Sequence, residues 1–309
     1  EKPNLYTLHS EILIDGVVID EELTNFGIRS ISVDPVNGFQ LNGETIKMKG
    51  GCIHHDNGPL GAAAYERAEE RKIEILKSGG YNAVRTAHNP PSPALLDACD
   101  RLGMLVIDET FDAWTSPKVT NDYHLYFREW WQRDTESMVK RDRNHPSVIM
   151  WSTGNEIFEA LGSPVGTEPP RRLADYIRTL DTTRPITAGV MINFIEAIAK
   201  RKEEDNFKEK SAPESIEEDR WGQQTADFIE PLDVAGYNYM AERYKVDREL
   251  FPNRVIAGTE TWGHRMFTFW KETVENPNAI GDFVWTAMDY LGEAGGGFVS
   301  FDGVRPRGA

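Results

Sequence analysis

The sequence predicts an α/β fold, a (β/α)8 TIM barrel preceded by a few antiparallel strands. The chain has 309 residues, enough for one large barrel or two smaller domains. From residue 46 onward, short apolar runs alternate with amphipathic helical patterns, as in a barrel of parallel strands. Nearly every apolar run ends in polar side chains, which a barrel gathers on its catalytic face. A doubly wound sheet is the competing topology for the same alternation.

The first 45 residues alternate apolar and polar side chains with a period of two, and Asp-Gly or Asn-Gly pairs occupy 15–16, 37–38 and 42–43. This pattern predicts antiparallel strands joined by tight turns. Because so few strands cannot bury a core alone, we expect them to pack on the rest of the chain or on a missing neighbour. The chain opens inside this pattern without a signal peptide, which predicts a piece of a longer protein.

Eight apolar strands are predicted after this region, in residues 46–55, 81–88, 104–109, 147–156, 185–190, 233–239, 254–260 and 281–290. The helix after the second strand has the clearest end signals. Ser92 is its predicted N-cap, Pro93 lies in its first turn and Gly103 follows its last residue. The charged segment 201–220 is predicted to be a solvated helix or a loop insertion.

Charge and composition exclude several classes of partner. The net charge of −16 argues against nucleic acid and anionic membrane surfaces, which reward Lys and Arg. No apolar run approaches the ~20 residues of a membrane span. Cys52 and Cys99 form neither a disulfide framework nor a zinc-ligand spacing. A neutral ligand is therefore the expected partner, and an oligomer stays open.

Two glutamates stand out among the residues at the strand ends. Glu156 follows the fourth strand and Glu260 ends the seventh, so the two would face each other across a barrel mouth. An isolated glutamate in such a place is more often a solvated rim charge. Two carboxylates about 5–5.5 Å apart, however, are what retaining glycoside hydrolysis requires, one as nucleophile and one as proton donor.

The two roles need opposite environments. The proton donor must stay protonated near neutral pH through burial and a neighbouring negative charge, whereas the nucleophile must stay ionised. Arg85, at the end of the second strand, is the predicted cation beside the nucleophile, with a plain surface salt bridge as the alternative. A hydroxyl group from Tyr237 or Tyr239 is the predicted hydrogen-bond donor.

The polar residues His54, His55, Asp56 and His88 allow two interpretations. They could hold a metal ion, but their spacing lacks the helical pairs of zinc hydrolases and no cysteine supplements them. Recognition of sugar hydroxyl groups explains the same residues, so we predict neither a metal nor a cofactor. One of the paired histidines is expected to be structural, because adjacent strand residues point to opposite faces.

The tryptophans Trp151, Trp262 and Trp285 also lie near strand ends. Most of the eight tryptophans in the chain must belong to the core. A sugar can nevertheless stack its apolar C–H face on an aromatic ring, and Trp285, on the eighth strand, is the predicted platform.

With these residues placed, the sequence resembles the catalytic barrel of glycoside hydrolase family 2. The resemblance rests on FGIR at 26–29, GFQLNGETIKMKGGCIHHD at 38–56, NAVRTAHNPPSPALLDACDRLGMLVIDE at 82–109 and WSTGNE at 151–156. It implies that residues 1–45 are the remnant or C-terminal strands of an immunoglobulin-like β-domain and that 46–309 form the barrel. Family members also carry a jelly-roll domain ahead of the immunoglobulin-like one.

The resemblance assigns roles to five residues. Glu156 would be the acid/base, Glu260 the nucleophile, and Asn155 would bind the 2-hydroxyl of the sugar. His88 and Trp285 match positions that line the sugar subsite. The substrate-binding set predicted in all is Asn155, His88, His55, Asp56, Trp285, Tyr237 and Tyr239, with Arg85 supporting the nucleophile.

The resemblance also bears on the substrate. The stretches HHDNGPLGAA and GDFVWTAMDYLGE look most like the bacterial β-galactosidase branch. β-Glucuronidases of the family carry a late Asn-x-Lys motif that holds the sugar carboxylate, and nothing after Asp282 supplies it. We therefore expect a retaining exo-acting β-galactosidase, with an oligosaccharide or another β-galactoside as its partner. A β-mannosidase, a β-glucuronidase, a non-catalytic carbohydrate-binding barrel and a metal-dependent barrel hydrolase are the alternatives, and the compartment, bacterial cytoplasm or periplasm, stays unassigned.

Overall fold

The computed structural model describes residues 3–161, 168–191, 215 and 218–288 of the chain. Five strands precede the barrel. Strands β1 (Leu5–Ile14) and β2 (Val17–Gly27) form an antiparallel hairpin, as the alternating pattern predicts. Strands β3 (Ile31–Asp34), β4 (Gly38–Leu41) and β5 (Glu44–Thr45) form a separate three-stranded antiparallel sheet.

Eight parallel strands then close into a barrel. They are β6 (Met48–Ile53), β7 (Ala83–Thr86), β8 (Leu105–Glu109), β9 (Val148–Asn155), β10 (Ile186–Met191), β11 (Val234–Asn238), β12 (Ile256–Trp262) and β13 (Ala279–Trp285). Each strand pairs with its neighbour in the sequence, and β13 pairs with β6 to close the ring. The predicted barrel is confirmed and the doubly wound sheet is excluded, because an open sheet would leave two edge strands.

Seven α-helices among the described residues surround the barrel. They are α1 (Glu66–Ser78), α2 (Pro93–Leu102), α3 (His124–Asp142), α4 (Glu168–Leu180), α5 (Arg220–Ile229), α6 (Arg243–Leu250) and α7 (Met266–Glu275). The predicted ends of α2 are confirmed, since Ser92 Oγ accepts a hydrogen bond from the Leu95 amide and Gly103 has a left-handed φ of 73°. None of the described helices combines the length and the apolar character that a bilayer crossing needs.

The β3–β5 sheet packs on the barrel. Phe39 on β4 is fully buried in the same apolar cluster as Met48, Ala257 and Phe283 of the barrel strands. Nearby, Arg29 donates hydrogen bonds of 2.6 Å to the carbonyl oxygens of residues 146 and 148. These contacts hold residues 29–46 against the barrel. For strands β3–β5, the expectation that the N-terminal strands pack on the rest of the chain is therefore confirmed.

The β1–β2 hairpin differs from that sheet. Its apolar side chains are largely exposed, for instance Ile12 at 57% and Leu23 at 67%. The boundary at residue 45 between a β-domain and the barrel stays a prediction. The predicted insertion at 201–220, apart from its last few residues, and Asp289 at the end of the eighth predicted strand lie outside the described residues.

Candidate active site

Parallel strands bring five polar side chains together at their carboxyl ends. Arg85 lies on β7, Glu109 ends β8, Asn155 ends β9, Asn238 ends β11 and Glu260 lies on β12. All five are buried, and none is more than 4% exposed. Because buried polar groups are costly without partners, such a cluster must form one hydrogen-bonded network.

Arg85 is the centre of this network. Its guanidinium is fully buried and forms two 2.9 Å hydrogen bonds to the carboxylate of Glu109. On its other side, Nη1 donates to Glu260 Oε1 at 2.9 Å and Nη2 donates to Asn155 Oδ1 at 2.9 Å. The guanidinium thus holds two carboxylates and one amide in fixed positions, which a flexible point charge such as Lys could not do.

Glu109 balances the charge of Arg85. Its carboxylate also accepts hydrogen bonds from Ser152 Oγ at 2.7 Å and from His88 Nδ1 at 2.7 Å. Burial opposes its ionisation, but the Arg85 charge and the hydrogen bonds from His88 and Ser152 outweigh burial and lower the pKa of Glu109 to about 2. Since this carboxylate only accepts, the hydrogen on His88 Nδ1 points at it, and His88 Nε2 lies 3.3 Å from Asn155 Nδ2.

Glu260 is held by a different group at each carboxylate oxygen. Oε1 accepts from Arg85, and Oε2 accepts from the hydroxyl of Tyr239 at 2.8 Å. His88 Nε2 lies 3.7 Å from Oε1. The cation and the hydroxyl donor stabilise an ionised carboxylate aimed into the mouth of the barrel.

Glu156 has an environment of another kind. It follows β9 directly, and its backbone has a φ of 44°, in the left-handed region that non-glycine residues seldom adopt. Burial raises the pKa of Glu156 first, and the negative charge of Glu260 raises it further, against the lowering effects of Asn238, Lys118 and His88. The carboxyl group therefore keeps its proton to a higher pH than an ordinary glutamate.

An amide network connects these two glutamates. Asn238 Nδ2 donates to Glu156 Oε1 and to Asn155 Oδ1, each at 3.0 Å. The orientation of Asn238 is fixed by Thr259, whose hydroxyl donates to Asn238 Oδ1 at 2.6 Å. Since Thr259 immediately precedes Glu260, the network runs from one glutamate to the other across β9, β11 and β12.

The strand between β9 and β11 contributes space rather than a side chain. A Cβ atom at Gly189 on β10 would lie 3.0 Å from Asn155 Oδ1 and 3.2 Å from both Arg85 Nη2 and Asn238 Oδ1. These contacts are tighter than ordinary packing allows. A glycine at this position is therefore what lets the three polar groups meet.

Two stacked aromatic pairs flank the Glu260 carboxylate. His88 stacks on Trp285, with ring centroids 5.3 Å apart and 6° between the planes. Tyr239 stacks on Trp262, with centroids 4.1 Å apart and 25° between the planes. The first pair approaches Oε1 through His88, and the second reaches Oε2 through the Tyr239 hydroxyl.

His54 extends the first pair. Its ring meets Trp285 edge-on at a centroid distance of 4.9 Å and an angle of 76°. Burial, and then the nearby His88 charge, lower the pKa of His54 to about 4. At neutral pH the ring is therefore an uncharged hydrogen-bonding group.

An ion pair between Lys118 and Asp112 lies on the rim of the barrel near Glu156. Lys118 Nζ donates to Asp112 Oδ1 at 2.6 Å and to the Asn155 carbonyl oxygen at 2.9 Å. The same Asp112 oxygen accepts from Asn155 Nδ2 at 3.1 Å. The Lys118–Asp112 pair thus fixes the side-chain amide of Asn155, with Nδ2 directed toward Asp112.

Comparison with known families agrees with this geometry. The sequence model of the family described as "Glycosyl hydrolases family 2, TIM barrel domain" matches residues 33–303, most of the chain. The chain belongs to glycosyl hydrolase family 2. The predicted family and fold are thereby confirmed.

Several family 2 relatives are similar over large parts of this chain. The β-galactosidase BoGH2A of Bacteroides ovatus is 41% identical over 219 residues, which cover 61% of this chain and 26% of the relative. A putative β-glucuronidase of Formosa agariphila is 34% identical and covers 96% of this chain and 30% of its own length. A solved family 2 structure from Bacteroides cellulosilyticus is 49% identical with a TM-score of 0.81, covering 93% of this chain and 33% of that one. The chain thus spans about a third of these relatives or less.

Most predicted site residues of this family 2 barrel do meet at the mouth. These are Glu156, Glu260, Asn155, Arg85, His88, Tyr239 and Trp285. Arg85 is fully buried, so the alternative of a surface salt bridge does not apply. Their roles in binding and catalysis stay proposals.

Tyr237 requires a correction. Its side chain is fully buried outside the site, where its hydroxyl donates to Asp247 and accepts from Arg254 at 2.9 Å. Tyr239 alone of the two tyrosines donates to Glu260. The regular alternation of a strand would have placed both on one face, but β11 ends at Asn238 and Tyr239 has a φ of 61°.

The predicted strand positions of His55 and Asp56 also require correction, while their part in substrate binding stays a prediction. Strand β6 ends at Ile53, so both residues lie in the following loop. Asp56 is 7% exposed and accepts a 2.6 Å hydrogen bond from the Gly58 amide, which closes a local turn. The ring contacts to the aromatic cluster are made by His54 instead of His55.

Among the described residues, the groups with metal-ligand spacing lie elsewhere. They are His9, Glu11 and Glu21 on the hairpin, and Asp97, Asp100 and His145 near α2 and the loop before β9. Neither group includes a residue of the mouth.

Sequence reasoning missed Glu109, Asn238, Asp112 and Lys118 as site residues, and it named His54 as a polar candidate without including it in the substrate-binding set. Glu109 and Asn238 do end predicted strands, which was the available signal. Asp112 and Lys118 lie in the loop after β8, where no periodic pattern exists to place a side chain.

Proposed function

We propose that this barrel is the catalytic domain of a retaining, exo-acting β-glycosidase that releases a terminal β-linked neutral sugar, with a β-galactoside as the first substrate to test. The observation that carries the proposal is the contrast between two glutamates of one network, the buried Glu260 and the half-buried Glu156. Glu260 pairs with Arg85 and Tyr239, whereas the pKa of Glu156 is raised by burial and by Glu260. This contrast matches the nucleophile and acid of a double displacement.

In the first step, the Glu260 carboxylate attacks the anomeric carbon and the bond to the leaving oxygen breaks. Glu156 gives its proton to that oxygen, so the leaving group departs as an alcohol and Glu156 becomes a carboxylate. The product on the enzyme is a glycosyl ester of Glu260. Arg85 and Tyr239 hold the nucleophile in place before the attack.

In the second step, the Glu156 carboxylate takes a proton from a water molecule that attacks the same carbon. The ester bond breaks, and Glu260 returns as a carboxylate. The environment supports this exchange of roles. The negative charge of Glu260 is one cause of the raised pKa of Glu156, and that charge is absent in the glycosyl ester, so Glu156 ionises more readily there.

The glycone would lie over the network on the side of His54, His88 and Trp285. Asn155 presents its Nδ2 there, since its Oδ1 is occupied by Arg85 and Asn238. We assign Asn155 to the 2-hydroxyl of the sugar and Trp285 to the ring, in agreement with the family resemblance.

The charges of the site favour a neutral glycone. Arg85 pairs with two carboxylates, and Lys118 pairs with Asp112. His54 is uncharged at neutral pH because its pKa is about 4. A sugar carboxylate that approached Arg85 or Lys118 would therefore have to displace an existing carboxylate partner. A β-glucuronide is the second candidate, because the relative that covers 96% of this chain is named a putative β-glucuronidase.

The test is a panel of 4-nitrophenyl β-glycosides with the galactoside, mannoside and glucuronide, followed by a 2-deoxy-2-fluoro-β-galactosyl inactivator. We expect the galactoside to give the highest kcat/KM and the inactivator to add one sugar mass to the peptide that contains Glu260. Proton NMR should show the β-anomer first. A better rate on the glucuronide would overturn the glycone assignment. Sugar binding without turnover or labelling would instead indicate a carbohydrate-binding barrel.

A further inference from the structure

Trp262 is exposed beside the reacting groups without a role in the mechanism above. It ends β12, two residues after Glu260, and is 39% exposed. All eight tryptophans of the chain lie in the described ranges. Trp262 is exposed, whereas the other seven are buried or half-buried. An indole of this size normally buries most of its surface, so its exposure needs an explanation.

The ring of Trp262 is held in place. It stacks on Tyr239 at 4.1 Å, and the hydroxyl of Tyr239 is in turn bound to Glu260 Oε2 at 2.8 Å. The Tyr239 amide also donates to the Glu260 carbonyl oxygen at 2.7 Å. Trp262 is therefore a rigid, solvent-facing surface whose position is tied to the nucleophile.

The strand order places this surface on one side of the two glutamates. Going round the barrel from β9 to β12 through β10 and β11, the arc carries Tyr239 and Trp262. The opposite arc, through β13, β6, β7 and β8, carries Trp285, His54 and His88. Tyr239 thus lies on one side of Glu260 and the His88–Trp285 pair lies on the other, while Trp262 ends the same strand as Glu260 and is the register partner of Trp285.

The two sides differ in depth and polarity. On the side of His88 the groups are enclosed, with the His88 side chain 14% exposed, and they offer several hydrogen-bonding atoms. That side suits a glycone whose hydroxyl groups are all recognised. The side of Trp262 offers an exposed flat apolar face, which suits a ring that enters and leaves from solvent.

We propose that Trp262, supported by Tyr239, is the platform of the leaving-group subsite and selects saccharide leaving groups by stacking on the apolar face of their first sugar ring. This inference rests on the proposed glycosidase activity. It predicts that the enzyme has a higher kcat/KM for a β-galactosyl disaccharide than for methyl β-galactoside, and that the difference exceeds what the basicity of the two leaving oxygens would produce. Trp262 contacts neither the glycone nor the reacting atoms, so it is a specificity-determining residue.

The test uses Trp262→Ala and Trp262→Phe with a β-galactosyl disaccharide and with methyl β-galactoside. We expect Trp262→Ala to lower kcat/KM for the disaccharide about tenfold or more, and to change it for the methyl galactoside less than about threefold. Trp262→Phe keeps a flat ring and should restore much of the loss. Phe267→Ala is the control, because Phe267 is 83% exposed in the same region and should change neither value.

A second measurement separates binding of the leaving group from damage to the nucleophile. Reaction of the 2-fluorogalactosyl enzyme with water releases Glu260 and involves no saccharide leaving group, so Trp262→Ala should match the wild type in that rate. Transfer of the fluorogalactosyl group to added cellobiose should be slower in the variant.

Equal losses on both substrates, or a slower reaction with water, would overturn the proposal, because Trp262 would then act through Tyr239 and Glu260. An unchanged disaccharide rate would overturn it as well. A wild-type protein that neither turns over nor becomes labelled would overturn the glycosidase assignment itself.

Discussion

Arg85 and Glu109 form a bidentate ion pair with no solvent exposure on either side chain, directly behind the proposed nucleophile. Neither group has a reacting atom in the proposed mechanism. A buried ion pair is weak support for stability in itself, because desolvation offsets much of the attraction. Its position suggests instead that Glu109 sets how strongly Arg85 binds Glu260.

Replacement of Glu109 by Gln tests this relationship. Without the second carboxylate, Arg85 would be balanced by Glu260 alone and would bind it more tightly, which makes Glu260 a weaker nucleophile. We expect kcat/KM to fall by about 10²-fold or more, and the unfolding free energy to fall by about 3–5 kcal/mol because a buried partner is removed. Steady-state kinetics and denaturant unfolding measure both effects. An active Glu109→Gln enzyme would show that Arg85 needs no second carboxylate.

Substitution of the proposed nucleophile is the second prediction. Glu260→Gln removes the attacking charge but keeps the shape and one hydrogen-bond acceptor, so turnover should be lost while substrate binding remains. Isothermal titration with a galactoside and mass spectrometry after the fluoro-sugar should show binding without covalent addition. Glu249→Gln, on the exposed face of α6, is the matched control. Labelling of Glu260→Gln at the wild-type rate would assign the nucleophile to another residue.

The eight barrel strands could be predicted because they are largely buried on both faces, so each one is a short apolar run that is easy to recognise. The same property limits what can be said of the residues at their ends. Asp108 and Glu109 are adjacent, and alternation puts them on opposite faces, but nothing local says which one points inward. Only the contacts with Arg85 and His88 assign Glu109 to the site.

The misplaced positions of Tyr237 and His55 have a related origin. Both residues were placed by their position at a predicted strand end, and the regular alternation of a strand applies only while the backbone is extended. The left-handed backbone of Tyr239 and the end of β6 at Ile53 break the period there. Residues at the mouth of a barrel are thus the ones that strand patterns describe least well.

The acid role of Glu156 leads to the third prediction. Glu156→Ala should slow a 4-nitrophenyl glycoside much less than an alkyl glycoside, because a nitrophenolate departs without protonation. A difference of about 10²-fold or more between the two substrates is expected in the first step, measured as kcat/KM. Equal losses on both would point to a structural role for Glu156.

Lys118 allows a test through pH. Its positive charge lowers the pKa of Glu156, against the larger effects of burial and Glu260 that raise it. Lys118→Met should therefore raise that pKa further, so Glu156 keeps its proton to higher pH and the alkaline limb of the kcat/KM profile moves upward. Lys245→Met, on the exposed face of α6, should leave the profile unchanged. A downward shift in Lys118→Met would contradict the assignment of Glu156 to that limb.

Asp282 provides the last prediction, which concerns stability rather than catalysis. It lies on β13 and is 3% exposed, and burial raises its pKa to about 7 against the lowering effect of a hydrogen bond from Thr261. A carboxyl group whose pKa is higher in the folded than in the unfolded state binds an extra proton when folded, so its contribution favours folding at low pH and is lost as pH rises from about 4 to 7. The loss is on the order of 4 kcal/mol.

Asp282→Asn resembles the protonated form and should remove this dependence, so its unfolding free energy, relative to that of the wild type, should rise across the same range. Asp227→Asn, at an exposed position of α5, should keep the wild-type slope in denaturant unfolding at each pH. Parallel curves for Asp282→Asn and the wild type would mean that Asp282 is ionised in the folded protein throughout, with its charge balanced by a group that the described contacts do not include.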